Sequence, residues 1–339
     1  MKAALFTGKH TIEMVEKATP EIRDGEALIQ MKACGICGSE IPFYNGIPDY
    51  LCKHPWTIGH EMAGVVAQIK GGANGLAIGD RVAVEPLINC GKCYACRVGK
   101  YNCCANLKVI GASTPGGFAE FVVVPANRCH KIPDDMPFAV AALTEPYSIG
   151  ANVLRRGQIT GDDLVVINGA GPIGLTIIDF AKNIHGAKVL ISDVYDDRLA
   201  RAKEFGADVV VNASKENVLE KVMEFTNNEG GSLVIDATGV PAVIESTQHL
   251  VAPGGRIVVV GYTENNVKID GILIIKKEIT LLGSRNSANL YPYVIECIMS
   301  GKLKLEKLIT HRFPFERVAD AFDYANTNFK SVGKVMVEF

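Results

Sequence analysis

The sequence predicts an α/β protein in which a β-rich domain accompanies a second domain built on a doubly wound parallel sheet. Residues 1 to about 150 contain short β-branched runs separated by glycine and proline, which is typical of an irregular β-rich domain. From Asp163 onwards, apolar strand-like runs alternate with helical spacing, which favours a parallel sheet covered by helices. The alternation fades after about residue 290. We therefore predict one domain over residues 1–150 and 291–339, and the other over residues 151–290.

The individual elements follow from apolar runs in each domain. The strand candidates of the first domain are Ala27–Met31, Gly64–Ala67, Arg81–Val84, Phe118–Val124 and the final run Gly333–Phe339. Those of the second domain are Leu164–Ile167, Lys188–Ser192, Val209–Val211, Leu233–Ile235 and Arg256–Val260. Helical spacing covers Ile173–His185 and Asp197–Phe205. Two further apolar runs, Gly271–Ile275 and Glu278–Leu282, would suit a sheet edge that pairs across a dimer.

Composition and charge exclude several classes of protein. The 339 residues are 48% hydrophobic, and 35 Lys and Arg face 37 Asp and Glu, for a net charge of −2. This balance gives no electrostatic footprint for nucleic acid or anionic lipid. No stretch has the apolar length of a signal peptide or a membrane span, so the ten cysteines indicate reduced thiols and metal binding. We expect a cytoplasmic protein with a small-molecule substrate and no nucleic-acid or membrane partner.

Four cysteines with the spacing C-x2-C-x2-C-x7-C lie between Asn89 and Asn106. Two consecutive C-x2-C steps suit a metal, and four thiolates complete the tetrahedral coordination of zinc without an open position. The alternative is a chance cluster of buried or disulfide-bonded cysteines. We predict a structural zinc held by Cys90, Cys93, Cys96 and Cys104, with spacing favouring Cys104 over its neighbour Cys103.

A glycine-rich turn, Gly169-Ala-Gly-Pro-Ile-Gly174, stands between a predicted strand and a predicted helix. Glycines at these positions let backbone N–H groups approach a pyrophosphate, and Asp193, at the end of the next strand, can bind ribose hydroxyls. A carboxylate there repels a 2′-phosphate, so NAD is favoured over NADP, although Arg198 makes NADP conceivable if it is not simply a solvated charge. The alternative is a purely structural turn. The residues assigned to the cofactor are Gly169, Gly171, Pro172, Ile173, Gly174, Asp193, Arg198 and Gly261.

A second set of possible metal ligands lies in the first domain. Cys37 supplies a thiolate, His60 an imidazole, and Glu61 and Glu145 two carboxylates. Such a mixed set leaves zinc a vacancy, which a catalytic zinc needs to bind and acidify water or an alcohol. Each residue alone has a structural explanation, as a buried thiol, a hydrogen-bonded loop histidine or a surface carboxylate. Together they predict a catalytic zinc site.

The chain resembles the zinc-dependent medium-chain alcohol dehydrogenase family over essentially its whole length. The motifs that carry the resemblance are, in order, Gly35-Ile-Cys-Gly-Ser39, Gly59-His-Glu61, the four-cysteine run, Glu145-Pro146 and Gly169–Gly174. It looks closest to the sorbitol and threonine dehydrogenase branch, and Gly283–Asn286 and Leu308–His311 look most like its bacterial sugar-acid members, such as L-galactonate and L-gulonate 5-dehydrogenases. The resemblance implies a GroES-like catalytic domain, a Rossmann NAD-binding domain and two zinc ions per chain. A homodimer or homotetramer is expected.

The resemblance also implies a mechanism. Zinc held by Cys37, His60 and Glu61 binds the substrate hydroxyl as an alkoxide, and hydride passes from the carbinol carbon to NAD. Glu145 is implied as an exchangeable fourth ligand. Ser39 matches the hydroxyl that relays the alcohol proton, and its alternative role is that of a simple N-cap or turn serine.

Some positions depart from the family pattern. Pro42 stands where many relatives carry the histidine through which the proton leaves, so the exit must use water or another group. Glu40 replaces the usual aspartate that orients the zinc histidine, which makes that side chain one methylene longer. Lys70 replaces a glycine, with an expected effect on a turn alone. His311 is expected to be a loop histidine and not a base, because zinc and Ser39 already provide the acid–base route.

Substrate choice is implied by Arg285 and Asn286, which correspond by resemblance to the pair that faces the polyol in sorbitol dehydrogenase. Arginine can bind a carboxylate with two hydrogen bonds, so we predict a sugar acid. Arg285 could equally serve a subunit contact or the cofactor. The competing substrates are L-threonine and polyol phosphates, and the non-enzymatic alternatives are a zinc-ribbon binding module and an NAD-sensing protein with only a structural zinc.

Overall fold

A computed structural model describes residues 1–47, 53–71 and 75–339. The chain forms two units. Unit 1 comprises Met1–Glu145, Tyr291–Ile295 and Ile309–Phe339, and unit 2 comprises Pro146–Leu290 and Glu296–Leu308. Unit 2 thus begins slightly before the predicted boundary and takes in residues 296–308. Two hydrogen bonds explain this, because the Tyr147 hydroxyl and the Lys304 backbone N–H both donate to the buried carboxylate of Asp179, at 2.7 Å each.

The two units contain the following elements. The strands, in chain order, are β1 (Lys2–Gly8), β2 (Thr11–Glu16), β3 (Glu26–Ile36), β4 (Glu61–Ile69), β5 (Arg81–Val84), β6 (Leu87–Ile88), β7 (Lys108–Val109), β8 (Phe121–Pro125), β9 (Cys129–Lys131), β10 (Leu164–Asn168), β11 (Lys188–Asp193), β12 (Val209–Asn212), β13 (Gly231–Asp236), β14 (Val251–Val259), β15 (Thr280–Gly283), β16 (Ile309–Pro314) and β17 (Lys334–Glu338). The helices are α1 (Glu40–Tyr44), α2 (Tyr94–Arg97), α3 (Phe138–Ala142), α4 (Thr144–Arg156), α5 (Pro172–Asn183), α6 (Asp196–Phe205), α7 (Val218–Phe225), α8 (Pro241–Leu250), α9 (Gly271–Lys277), α10 (Tyr291–Met299), α11 (Leu305–Leu308) and α12 (Val318–Thr327).

Unit 1 is organised around a mixed sheet with the order β16-β17-β3-β4-β5-β9, in which β8 also pairs with β3. The long strand β3 is central, and its antiparallel partners are β4, β8 and β17. A core of aromatic side chains packs in this unit, among them Phe6, Phe118 and Phe322 with ring centroids 4.8–6.4 Å apart. The final strand of the chain, β17, joins this sheet beside β3.

Unit 2 is a six-stranded parallel sheet with the order β12-β11-β10-β13-β14-β15. This is the order of a Rossmann fold, with the first strand of the unit at the centre and the reversal of winding beside it. The side chains of β10 and β11 are almost all buried, which explains why these strands appear in the sequence as continuous apolar runs. The predicted α/β class is confirmed.

Two predictions made from local patterns are wrong. Gly271–Ile275 is not part of a sheet edge but begins helix α9, because the Asp270 side chain accepts hydrogen bonds from the N–H groups of Ile272 and Leu273. His311 lies in strand β16 and not in a loop. Of the run Glu278–Leu282, residues Thr280–Leu282 do form the edge strand β15. Within the described residues, none of the helices has the length and hydropathy required to cross a membrane.

Candidate zinc and cofactor sites

The antiparallel pair of β3 and β4 brings together three of the predicted catalytic ligands. Cys37 directly follows the last residue of β3, whereas His60 precedes β4 and Glu61 begins it. Gly35 of β3 stands opposite Glu61 in the ladder, so the end of one strand and the start of the other lie side by side. The ligand atoms of Cys37, His60 and Glu61 all lie within 4.8 Å of one another.

Glu40 orients both the histidine and the cysteine of this group. Its Oε1 atom is 3.0 Å from His60 Nδ1, and its Oε2 atom accepts a hydrogen bond of 3.0 Å from the Cys37 backbone N–H. With Nδ1 donating to Glu40, the Nε2 atom of His60 is the one available to a metal. Burial lowers the pKa of His60, but the negative groups of Glu40 and Cys37 outweigh it and hold that pKa well above its ordinary value. The longer Glu40 side chain therefore reaches the histidine, as the family pattern implies.

The two carboxylate oxygens of Glu61 have different environments. The Lys334 ammonium donates a hydrogen bond of 2.6 Å to Oε1, and both side chains are buried. The other oxygen, Oε2, is buried and has no hydrogen-bond partner among the residues that the structure describes. A buried carboxylate oxygen without a partner is costly, and a cation beside it removes that cost. This atom, together with a thiolate and an imidazole, fits a zinc ion.

Glu145 is the fourth predicted ligand, and it lies in the first turn of α4. It is not among the atoms grouped within 4.8 Å. Burial raises its pKa to about 7, and the nearby His60 charge lowers it while the Glu61 charge raises it. Glu145 is thus placed in the electrostatic environment of the group while remaining outside its tightest cluster, which fits an exchangeable ligand.

Ser39 and Pro42 lie at the start of the short helix α1. Ser39 occupies the N-cap position, but its side chain makes no capping hydrogen bond, and the residue is exposed. Capping therefore does not account for this hydroxyl. Pro42 is inside the helix and also exposed, so the position that carries a histidine in many relatives contributes no titratable group here.

The four-cysteine run forms a compact lobe around α2. Its four sulfur atoms lie within 4.8 Å of one another, and Cys104 belongs to the group whereas Cys103 is exposed outside it. Every described cysteine is a free thiol, so the disulfide alternative is excluded for them. Hydrogen bonds from backbone N–H groups, those of Ala105 and Cys96, lower the pKa of Cys93 to about 6. Four converging sulfurs with N–H donors aimed at them fit a thiolate-bound zinc.

The glycine-rich turn of unit 2 connects β10 to α5. Gly169 has a φ of 102°, and a Cβ on Gly174 would lie 2.0 Å from the Gly169 carbonyl oxygen, so both positions require glycine. A Cβ on Gly171 would meet nothing closer than an Arg198 nitrogen at 4.0 Å. The start of α5, with Pro172 as its first residue and Ile173 next, is therefore accessible to an anion. These features fit a dinucleotide.

Asp193 supports the turn directly. Its Oδ2 atom accepts a hydrogen bond of 2.8 Å from Ala170 N–H, and its Oδ1 atom accepts from Val194 and Tyr195 N–H groups. Arg198 lies 3.5 Å from Oδ2 and above the Tyr195 ring, so it is a paired residue and not a solvated charge. The Oδ2 atom accepts from Ala170 and has the Arg198 nitrogen at 3.5 Å, and a carboxylate oxygen with two lone pairs can also accept from a ribose hydroxyl.

The remaining assigned residues also lie in unit 2. Gly261 follows β14, and a Cβ there would lie 2.0 Å from the Gly239 nitrogen, so close backbone packing alone requires this glycine. Arg285 and Asn286 follow the edge strand β15. Arg285 is exposed, and the Asn286 carbonyl accepts a hydrogen bond of 2.9 Å from Asn152, which holds the segment in place.

The sequence does not identify Lys334 or Gly35 as functional residues. Lys334 is separated from Glu61 by most of the chain, and nothing near it in the sequence indicates a buried partner. A weak signal was present, because the lysine is followed by three apolar residues in the terminal strand Lys334–Glu338. In the structure Lys334 is 2% exposed, which is rare for a lysine without a charged partner. Gly35 has no signal of its own in the sequence beyond its place in the motif that contains Cys37.

Two family profiles match the chain. The profile of the alcohol dehydrogenase GroES-like domain matches residues 23–134, and that of the zinc-binding dehydrogenases matches residues 172–300. An L-threonine 3-dehydrogenase from Pyrococcus horikoshii is 38% identical over 330 residues, which cover 96% of this chain and 94% of the relative. The chain belongs to the zinc-type medium-chain alcohol dehydrogenase family.

Further similarities place this dehydrogenase among enzymes with different substrates. An L-idonate 5-dehydrogenase from Vitis vinifera is 32% identical over 330 residues, or 95% of this chain and 90% of the relative. A crystal structure of the alcohol dehydrogenase rspB from E. coli CFT073, complexed with NADH, has a TM-score of 0.94 at 38% identity and covers 100% of this chain and 99% of that one. The predicted family and enzyme class, an oxidoreductase, are confirmed.

Proposed function

We propose that this dehydrogenase uses NAD and a catalytic zinc to oxidise a secondary hydroxyl of a sugar acid or polyol, with aldonates such as L-gulonate or L-galactonate favoured. The observation that carries the proposal is the mixed ligand group of Cys37, His60 and Glu61, distinct from the four-thiolate lobe. A closed thiolate site can only stabilise the fold, whereas a mixed set keeps a position for substrate. We therefore assign two zinc ions per chain.

Each residue of the site has a proposed role. A zinc ion held by Cys37, His60 and Glu61 would supply Lewis acidity toward the substrate hydroxyl, with Glu145 as an exchangeable ligand. Glu40 is hydrogen-bonded to the Nδ1 atom of His60. The Nε2 atom, on the other side of the ring, is the one that would bind the metal. The exposed Ser39 hydroxyl is proposed to accept the alcohol proton and pass it on, with water replacing the histidine that Pro42 displaces.

The cofactor is proposed to be NAD, the acceptor of the hydride. Gly169, Gly171 and Gly174 with the start of α5 would receive the pyrophosphate, and Asp193 would bind the adenosine ribose. A 2′-phosphate would face the Asp193 carboxylate at close range, which disfavours NADP. The NADH complex of the similar rspB structure supports this choice.

The preference for a sugar acid rests on Arg285, with Asn286 beside it. An arginine can donate two parallel hydrogen bonds to an aldonate carboxylate. A neutral polyol has no carboxylate to accept them. The similarity to an L-idonate 5-dehydrogenase, whose name denotes a sugar-acid substrate, supports the same class.

A screen of NADH formation tests this proposal, over aldonates, neutral polyols, polyol phosphates and L-threonine. We expect the highest kcat/KM with an aldonate. Because a hydrogen bond to a charged group contributes about 1.5–3 kcal/mol, Arg285→Ala should lower kcat/KM on aldonates roughly 10- to 100-fold and leave polyols nearly unchanged. An equal loss on both substrates would remove the carboxylate role, and activity on none of the four classes would remove the substrate class.

L-Threonine is the second candidate substrate, because the 38% identical relative from Pyrococcus horikoshii is named for it. The substitution of Pro42 for the usual histidine is a mild argument against it. The screen separates the two directly, because aldonates and L-threonine are compared by kcat/KM on the same enzyme.

We also propose that a second copy of the chain is the protein partner, in a homodimer or a homotetramer. In the described part of the chain, β15 is an edge strand of the six-stranded sheet with no further strand beside it, and Leu281 on it is 42% exposed. On the adjacent helix α9, Ile272 and Ile275 are also exposed. Sheet edges of this kind pair readily with another copy.

Sedimentation of Leu281→Lys tests this partner. A buried lysine at the pairing edge should shift the oligomer toward smaller species at micromolar concentration. Met299→Lys, on α10, is the matched control because Met299 is also a large exposed apolar residue, and it should not change the oligomer. A monomeric wild-type chain would contradict the proposal.

A further inference from the structure

The starting observation is the contact between a glycine and the open oxygen of a ligand. Gly35 of β3 and Glu61 of β4 stand opposite each other in the ladder. A Cβ on Gly35 would lie 2.1 Å from Glu61 Oε2, 3.2 Å from Cδ and 3.3 Å from the Glu61 Cβ. The Glu61 carboxylate therefore occupies the space that any side chain at position 35 would fill.

The rest of the carboxylate is fixed from the other side. The Lys334 ammonium holds Oε1 at 2.6 Å and is itself held by the Ile36 carbonyl at 3.1 Å. Glu61 is 1% exposed and Lys334 is 2% exposed, so no solvent is present to take over either contact. With Oε1 fixed, the position of Oε2 depends on what lies beneath it, which is the bare backbone of Gly35.

We propose that Gly35 is a positioning residue for the catalytic metal: its missing side chain creates the space from which Glu61 Oε2 joins Cys37 and His60. The inference rests on the proposed function, because it gives Glu61 the role of a metal ligand. It adds to that function a residue that touches neither substrate nor metal but fixes where the carboxylate ligand stands.

A role in folding does not explain this glycine. Its φ is not in the left-handed region, so an alanine can adopt the same backbone conformation. The atom that a Cβ would strike is the end of a side chain, which can move without disturbing the strand pairing. Gly64 on β4 is the contrasting case, because a Cβ there would lie 2.2 Å from the backbone oxygen of Gln30.

The test measures metal binding by Gly35→Ala in the full-length chain. We expect the lobe to keep its zinc, whereas Co²⁺ added to the emptied catalytic site binds roughly 10- to 100-fold more weakly and gives an altered ligand-field spectrum. Gly8→Ala is the matched control, because Gly8 ends β1 in the same unit with nothing within 4 Å of its added Cβ. This control should bind Co²⁺ as the wild type does.

A double variant separates positioning from general damage. In a Glu61→Asp background the shorter side chain withdraws from Gly35, so adding Gly35→Ala should weaken Co²⁺ binding by a much smaller factor than it does with Glu61 present. An equal factor in both backgrounds, or unchanged Co²⁺ affinity in Gly35→Ala alone, would overturn the inference while leaving the proposed function standing. A wild-type chain with only the lobe metal would overturn both.

Discussion

Lys334 and Glu61 form a buried ion pair, and each residue needs the other. Burial by itself lowers the pKa of Lys334, but the negative groups of Glu61, Cys37 and Glu145 together outweigh that effect and keep the pKa above its ordinary value. The ammonium also engages Oε1 of Glu61, so that Oε2 is the oxygen we propose as a metal ligand. The pair therefore links the stability of unit 1 to the geometry of the site.

Removing one partner of this pair should be costly. Lys334→Met leaves the Glu61 carboxylate buried without its cation, so we expect the free energy of unfolding of the metal-free protein to fall by about 3–5 kcal/mol. Lys334→Met combined with Glu61→Gln removes both charges and should lose clearly less. Denaturant unfolding of chelator-treated protein measures both values. A double variant as unstable as the single one would contradict the ion-pair account.

Burial makes Glu145 a group whose ionisation opposes folding. Its pKa is raised from 4.5 to about 7, so the folded state holds a proton that the unfolded chain has already lost. The stabilisation from that proton is complete below pH 4.5 and is lost as the pH rises through about 7.

Glu145→Gln should remove this pH dependence. Relative to the Gln variant, the metal-free wild type should lose up to roughly 3 kcal/mol of unfolding free energy between pH 4.5 and 7. Unfolding of both chelated proteins across this range gives the difference directly. A difference that does not vary with pH would show that Glu145 titrates normally.

The sequence was enough to propose the individual ligands, which the structure brings close together, but not the residues that support them. Cys37, His60 and Glu61 belong to short motifs with chemistry of their own, and Glu40 lies close enough to be recognised beside them. Lys334 and Gly35 matter only because β17, β3 and β4 are neighbours in one sheet. Contacts that form only when distant strands pair leave no local pattern in a single sequence.

The elements show the same contrast between strong and weak patterns. Long periodic segments such as α5 and the buried strands of unit 2 agree with their predicted positions within a few residues. The short run Gly271–Ile275 was ambiguous, because five apolar residues suit a buried strand and a helix equally. The capping hydrogen bonds of the Asp270 side chain favour the helix. Asp270 stands one residue before the run, at the position where a helix N-cap is expected.

The four-cysteine lobe is the element with the clearest metal prediction. Cys104 Sγ accepts hydrogen bonds from the N–H groups of Cys90 and Asn106, at 3.3 Å each, and Cys103 is exposed. Cys104→Ala should therefore lose about one zinc per chain and lower the melting temperature, because a structural zinc stabilises its fold. Cys103→Ala is the matched control, because it changes the neighbouring cysteine, and it should keep the zinc of the lobe. Loss of zinc in both variants would contradict the assignment of the fourth ligand.

At the scale of the whole molecule, the two units carry separable chemistry. Unit 1 holds both candidate zinc sites, and unit 2 holds the glycine-rich turn with Asp193. The order of motifs along the chain was enough to predict the fold class and the family. The substrate was not predictable to the same degree, because it depends on a few side chains such as Arg285 whose partners are not fixed by any motif.

Zinc content measured together with NADH formation tests the central claim most directly. We predict about two zinc ions per wild-type chain, and about one in Cys37→Ser with the lobe zinc retained and NADH formation lost. Cys37→Ser that keeps both zinc ions, or that oxidises substrate at the wild-type rate, would contradict a catalytic zinc held by Cys37, His60 and Glu61.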